Sequence, residues 1–472
     1  MPASRSLQTI LVAFLVGAAA SACVDEKIVY RDRELFEALP PGAAEFVGYT
    51  DEASKLTVCG NCHVGQQGKW ENTVHAGAWE DLQDSGHASA TCEGCHAISD
   101  KGNETTGTVG YDATQDARYH DVQCESCHGP GLGHLEDPAV TQPYAMLGVG
   151  ADGLEGCGEC HNGTHHPFSE EWASSRHANT DNHAQEREDC AQCHEARGVF
   201  AAWGLDTQYS DEDSPEVIPI TCAVCHDPHG SPNSKQLRFP INTPNVDTNL
   251  CMKCHHKRSE PDPSSSRGPH SPQGPLLVGE DVGWVPPSFA YPGKISGTHG
   301  SEANPRLCAG CHMNRFEVTD PSTGGFLFQA TGHGFKGIPC LDAQGIPSGE
   351  EDCAIDERSF KACAVSGCHG SEQGARSAVI TVWTRFDLLT STIDAMIAQI
   401  PSTEFETGDN FISTGEGAKF NSELAKLSGS AAHNPFLVEA LLTASIKQIQ
   451  IDYGIAAPAS VNLNSTLSPT TN

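Results

Sequence analysis

Cys59-Gly60-Asn61-Cys62-His63 is the first of eight pentapeptides in which two cysteines enclose two variable residues and a histidine follows directly. In this motif the two thiols add to the vinyl groups of a haem, and the imidazole of the histidine binds the iron. Paired cysteines also build zinc sites and disulfides, but neither needs a histidine after the second cysteine. All eight pairs have one, so the motif predicts covalently attached haem c.

A ninth attachment site is less regular, because Cys363 and Cys368 enclose four residues before His369. The alternative is a disulfide among these two cysteines, Cys340 and Cys353, for which three pairings are open. The histidine favours haem, and we therefore expect nine haems. They would use 18 of the 21 cysteines and leave Cys340 and Cys353 to pair with each other.

We number the nine sites in chain order, each by its two cysteines and the proximal histidine that follows them. The attaching cysteines are Cys59, Cys62, Cys92, Cys95, Cys124, Cys127, Cys157, Cys160, Cys190, Cys193, Cys222, Cys225, Cys251, Cys254, Cys308, Cys311, Cys363 and Cys368. The proximal histidines of sites 1 to 9 are His63, His96, His128, His161, His194, His226, His255, His312 and His369.

The histidine count also allows a second histidine on every iron. Of 23 histidines, 14 are not proximal, whereas the chain has only five methionines. Two histidines give an iron a lower potential than a histidine and a methionine do. The candidates for the sixth, distal position lie in repeated contexts or at a helix start: His75, His87, His177, His183, His229 and His433. We expect the loosest sixth ligand at site 9, because its motif is widened.

Sites 1 to 3 recur as sites 4 to 6. The first cysteines of the later three sites each follow those of the earlier three by 98 residues. Trp70 and His75, which follow site 1, recur as Trp172 and His177 after site 4. This pattern predicts a three-haem unit that was copied in tandem.

The composition predicts a fold with little regular secondary structure, irregular and α-helical, built round stacked haems. Only 38% of residues are hydrophobic and 7% aromatic, so the porphyrins must supply apolar volume. Phe386, Leu389 and Ile393 follow helical spacing, and Asn434-Pro435 is typical of a helix start. We expect a three-haem module at 59–150, its duplicate at 151–244, a looser three-haem region at 245–372, a helical segment at 373–454 and a disordered tail at 455–472.

The N-terminus reads as an export signal over residues 1–22. The apolar run from Leu11 to Ala20 is too short to span a bilayer as a helix, and it ends in Ala20-Ser21-Ala22-Cys23. These four residues resemble a bacterial lipobox with Cys23 as the lipidated residue, although they also fit an ordinary cleavage site. We expect a lipid anchor and tether at 23–58 and a location in the periplasm or on the outer membrane, including the cell surface.

The chain is strongly acidic, with 28 Lys and Arg against 61 Asp and Glu, a net charge of −33. Binding to nucleic acid depends on clustered basic side chains that neutralise phosphates. The charge therefore argues against nucleic acid as a partner.

Three stretches resemble known multihaem cytochromes. Sites 1 to 3, with Trp70 and His75, resemble the tetrahaem cytochromes of ammonia oxidisers. Residues 124–131 with His134 resemble the decahaem cytochromes of metal-reducing bacteria, and residues 222–229 resemble the doubled haem motif common to both. The similarity covers roughly residues 55–375, and it implies closely stacked haems, most of them with two histidine ligands.

Two classes of function fit these features. The favoured one is an electron carrier without catalytic residues, which serves redox partner proteins or an extracellular acceptor in anaerobic or extracellular respiration. The alternative is a reductase of nitrite, hydroxylamine or a sulfur oxyanion, which would need an iron with an exchangeable position. An oligomer or conducting filament is a third arrangement that the sequence leaves open.

Overall fold

The computed structural model describes residues 38–148, 156–180, 183–205, 209, 211, 213–320, 322–365, 367–406 and 408–467. The predicted signal peptide, Cys23 and most of the predicted tether lie outside these residues. No helix in the described ranges is long and apolar enough to cross a membrane.

Short helices dominate the chain up to residue 370, and many begin at an attachment motif. A helical turn places residues three apart on the same side, which brings the two cysteines of a motif together. The helices at motifs are Ala90–Glu93, Cys124–His128, Cys157–Cys160, Glu188–His194, Cys222–Cys225 and Cys308–His312. The others are Val64–Trp70, Ala78–Asp84, Tyr111–Thr114, Leu132–Glu136, Phe168–Ala173, Ala196–Trp203 and Gln273–Val278.

Tight 3-10 turns and two small antiparallel sheets complete this part. The turns are Cys59–Asn61, Val74–Gly77, Ala117–Tyr119, Arg176–Ala178, Ser234–Gln236, Thr298–Gly300 and Ile355–Glu357. Tyr49–Asp51 pairs with Leu56–Thr57, and Phe316–Thr319 pairs with Phe326–Ala330. Helices this short have little stability alone. The prediction of a fold with little regular secondary structure is confirmed.

The two copies of the predicted repeat have equivalent interior contacts. The indole Nε1 of Trp70 donates to the carbonyl of Val122 at 2.9 Å, and that of Trp172 donates to the carbonyl of Ile220 at 2.8 Å. Both tryptophans are buried. Each therefore fixes its own copy of the chain just before the third attachment motif of the unit.

The C-terminal region is helical, as predicted. Its helices are Glu372–Ile397, Thr414–Lys426, Ser430–His433 and Pro435–Tyr453, with a 3-10 turn at Ser402–Phe405. The side chain of Asn434 caps the last helix by accepting from the backbone N–H of Leu437, and Pro435 occupies its first turn. The helices enclose the largest apolar cluster of the described residues, with Leu389, Ile393 and Leu441 fully buried.

In the part that the structure describes, the predicted disordered tail, residues 455–472, makes specific contacts with the helices. Arg385 forms a buried ion pair with Glu439 at 2.7 Å and donates to the carbonyls of Asn462 and Asn464. Glu439 also accepts from the backbone N–H of Thr466. These contacts hold residues 455–467 along the helices, because the buried pair needs the tail to complete its hydrogen bonds.

Candidate haem sites

The attaching cysteines are separate from the one disulfide of the described residues. Cys340 and Cys353 are bonded, which confirms the predicted pairing. All 18 motif cysteines are free thiols, including Cys363 and Cys368 of the widened motif. Neither Cys363 nor Cys368 is disulfide-bonded, which argues against the disulfide alternative for site 9.

Eight of the nine proximal histidines face a second, non-proximal histidine. The distances between ring centroids lie between 5.9 and 6.4 Å. The pairs, proximal residue first, are His63 with His134, His128 with His229, His161 with His75, His194 with His270, His226 with His333, His255 with His177, His312 with His433 and His369 with His299.

This spacing fits an iron held between two imidazoles. A transition metal binds an imidazole nitrogen at about 2.0 Å, so rings on opposite faces of one iron have centroids roughly 6 Å apart. Aromatic side chains that simply pack together can lie closer, as His120 and Trp79 do at 4.0 Å between ring centroids. The eight histidine pairs therefore have the ring separation that a haem with two histidine ligands would need.

Backbone carbonyls orient several of these imidazoles. Nδ1 of His226 and of His312 lie 2.8 Å from the carbonyls of Lys235 and Phe335, and Nδ1 of His134 lies 2.7 Å from that of Thr141. A carbonyl can only accept, so Nδ1 carries the proton and Nε2 keeps a lone pair for a metal.

Burial keeps the paired imidazoles neutral, which metal ligation requires. It lowers the pKa of His161, His177 and His333 to about 4, with smaller contributions from neighbouring histidines. Burial also lowers the pKa of His433 to about 3. At neutral pH these side chains therefore do not have to lose a proton in order to bind iron.

Site 2 has the least complete arrangement in the described residues, since no second histidine ring is paired with His96. Nδ1 of His96 lies 2.7 Å from the carbonyl of Ala78, which leaves Nε2 for a metal. One candidate is His166, which interacts electrostatically with His96 and whose ring centroid lies 6.5 Å from that of His161. At site 9, where we expected the loosest sixth ligand, His369 faces His299 at 5.9 Å.

Four of the six predicted distal candidates face a proximal histidine: His75, His177, His229 and His433. His87 and His183 do not, since His87 is exposed and the side chain of His183 is fully exposed. These two occupy equivalent places in the repeat, but the shared place is on the surface. The histidines that the prediction missed are His134, His270, His299 and His333.

Comparisons with known proteins agree with this geometry. The family model "Cytochrome c554 and c-prime" matches residues 58–129, and the model of the doubled CXXCH motif matches residues 219–260. The two models match 114 of the 472 residues, and together with the attachment motifs and the facing histidines they support one class of protein. The chain is a multihaem c-type cytochrome.

Two known proteins are similar to this cytochrome. It is 25% identical over 194 residues to the multiheme cytochrome MtrA of Shewanella baltica (strain OS185). The aligned part covers 36% of this chain and 54% of the relative. The match thus spans about half the length of the curated relative. The fold resembles the crystal structure of the outer cell wall cytochrome OcwA, with a TM-score of 0.55 and 15% identity over 86% of this chain and all of that one.

Proposed function

We propose that this cytochrome transfers electrons by means of nine covalently attached haem c groups, each with two histidine ligands. The eight facing histidine pairs carry the proposal. Bound haem iron would supply the one-electron redox chemistry. With two histidine ligands on an iron, a substrate would have no vacant position there, and an electron would be what the site can exchange.

Internal symmetry suggests the ligand of site 2. His194 of site 5 faces His270, which follows the proximal histidine of site 7 by 15 residues. Sites 2 and 5 are equivalent in the repeat, so the ligand of site 2 is expected in the loop that follows His161 of site 4. His165 and His166 lie in that loop, and the ring of His165 stacks against Phe326 instead. We therefore assign His166 to site 2.

A reductase is the second candidate function, and His96 is the observation in its favour. A nitrite, hydroxylamine or sulfur-oxyanion reductase needs an iron whose sixth position a substrate can enter. Site 2 is the place where that could happen, because no second ring is paired with His96 in the described chain. The two candidates differ in whether His166 occupies that iron.

Binding of carbon monoxide to the reduced protein separates the two candidates. We expect the parent protein to bind very little, because every iron has two histidines. The variant His166→Ala should bind about one carbon monoxide per chain, since it frees one iron. The matched control is His165→Ala, which should behave like the parent. Binding of about one equivalent by the parent would favour the reductase, and binding by the His165→Ala variant would reassign the ligand.

We also propose that the protein is exported and works in anaerobic or extracellular respiration, in the periplasm or on the outer membrane. The apolar run at residues 11–20 and the lipobox-like residues 20–23 support export and a lipid anchor at Cys23. The partners would be redox proteins or an extracellular acceptor. Its net charge of −33 favours partners with basic surfaces, and it weighs against association of copies into an oligomer or filament at low ionic strength.

A further inference from the structure

Cysteines of different attachment motifs contact one another, and these contacts give the spatial order of the sites. Each cysteine sulfur would bond to a carbon at the edge of its porphyrin, so two neighbouring sulfurs would bring two porphyrin edges close together. Electron tunnelling falls steeply with the separation of such edges. The sulfur contacts therefore indicate which sites exchange electrons directly.

One kind of contact brings the thiols of the first cysteines of two sites next to each other. It links sites 1 and 3, sites 4 and 6, and sites 7 and 8. The three pairs are Cys59 with Cys124, Cys157 with Cys222 and Cys251 with Cys308.

A second kind of contact joins these pairs end to end. Here the second cysteine of one site interacts electrostatically with the cysteines of the next pair. It links sites 3 and 4, sites 6 and 7, and sites 8 and 9. The cysteines are Cys127 with Cys157 and Cys160, Cys225 with Cys251 and Cys254, and Cys311 with Cys363 and Cys368. The two kinds alternate along sites 1, 3, 4, 6, 7, 8 and 9, which we call the main line.

Sites 2 and 5 meet the main line from the side through second cysteines. The thiol of Cys95 is next to that of Cys160 at site 4, and the thiol of Cys193 is next to that of Cys254 at site 7. Cys95 Sγ also lies 3.9 Å from the carbonyl of Glu159, inside the motif of site 4. The duplication thus reproduces the side contact as well as the main line.

The distal histidines support this order independently. His75 follows site 1 and faces site 4, His177 follows site 4 and faces site 7, and His299 follows site 7 and faces site 9. The same relation thus repeats along sites 1, 4, 7 and 9. In the third region, residues 245–372, site 8 is equivalent to site 3 of the first repeat unit and site 6 of the second. This region has no site equivalent to sites 2 and 5.

We propose that electrons cross the protein along sites 1, 3, 4, 6, 7, 8 and 9, and that sites 2 and 5 are side branches attached at sites 4 and 7. This route rests on the proposed electron-transfer function and adds an order that differs from the order of the sequence. End-to-end transport then does not depend on the branches. A one-electron donor or acceptor at a branch joins the main line in its interior.

Replacing a distal histidine with methionine tests the route without removing a haem. A thioether ligand raises the potential of its own iron and so traps the electron there. His333→Met alters site 6 on the main line, and His270→Met is its matched control at site 5 in the same repeat unit. Haem content by pyridine haemochrome should equal that of the parent, and redox titration followed by EPR measures the raised potential in each variant.

Conductance of single molecules held between electrodes is the readout for transport. We expect His333→Met to lower it about tenfold for each 59 mV by which its potential rises, and His270→Met to lower it much less, because site 5 lies off the main line. His183→Ala gives the unchanged baseline, because that side chain is fully exposed and faces no proximal histidine. Equal losses in both variants, or no loss in His333→Met, would overturn the route while electron transfer itself stands. A parent protein that carries no current would instead refute the proposed function.

Discussion

A chain made without haem is expected to be unfolded from about residue 39 to residue 370, while its C-terminal helices stay folded. The apolar clusters of the described residues explain the difference. The largest cluster holds 18 buried residues, 16 of them between residues 382 and 449, whereas the other four clusters hold between three and six. Clusters that small cannot offset the conformational entropy of more than 300 residues, so the porphyrins must provide the missing apolar surface.

Limited proteolysis with mass spectrometry of the products measures this expectation directly. The protein would be produced in cells that lack the haem attachment machinery and compared with the haem-loaded protein. A resistant fragment should begin near Glu372 and end near residue 467, and the loaded protein should be resistant over most of the described chain. Equal resistance of both forms over residues 39–370 would contradict the view that haem forms the core.

Replacing His433 with alanine is expected to convert one iron in nine from low spin to high spin. The imidazole of His433 is buried and faces His312 at 6.2 Å, and no other histidine is paired with His312 in the described residues. The same segment positions site 9, because Nδ1 of His299 lies 2.5 Å from the carbonyl of Ala432. The alanine variant keeps that carbonyl, so site 9 should stay low-spin.

EPR of the oxidised variant measures the change, and added imidazole should reverse it by filling the vacant position. His183→Ala is the matched control, because the side chain of His183 is fully exposed. A His433→Ala spectrum identical to that of the parent would show that His433 is not a ligand. A high-spin signal in the control would show that an exposed histidine moves to bind iron.

The attachment motifs and the repeat could be predicted because both are local in sequence. The cap and first turn at Asn434-Pro435 were also visible, and the last helix begins there. The helix Thr414–Lys426 lies inside the predicted helical segment, but its start was not predicted, although its capping box, Ser413 and Glu416, stands in the sequence. The apolar pattern of this helix is weak, because many of its buried residues are glycine, alanine or small polar residues.

The distal histidines could be predicted only in part because they act at a distance in the chain. His75 lies between sites 1 and 2 in the sequence, but it faces His161 of site 4 in the next unit. His333 faces His226 across more than 100 residues. A repeated context shows that two histidines have equivalent places. It does not show whether that place is next to a haem site. His87 and His183 were therefore predicted as ligands, although both are exposed.

Haem counting together with EPR of the oxidised protein tests the central claim most directly. Pyridine haemochrome gives haems per chain, and the EPR spectrum gives the fraction of irons that are low-spin. We expect nine haems per chain, all low-spin, because eight histidine pairs face each other and His166 completes site 2. Eight haems, or a high-spin signal from one iron or more, would contradict the account.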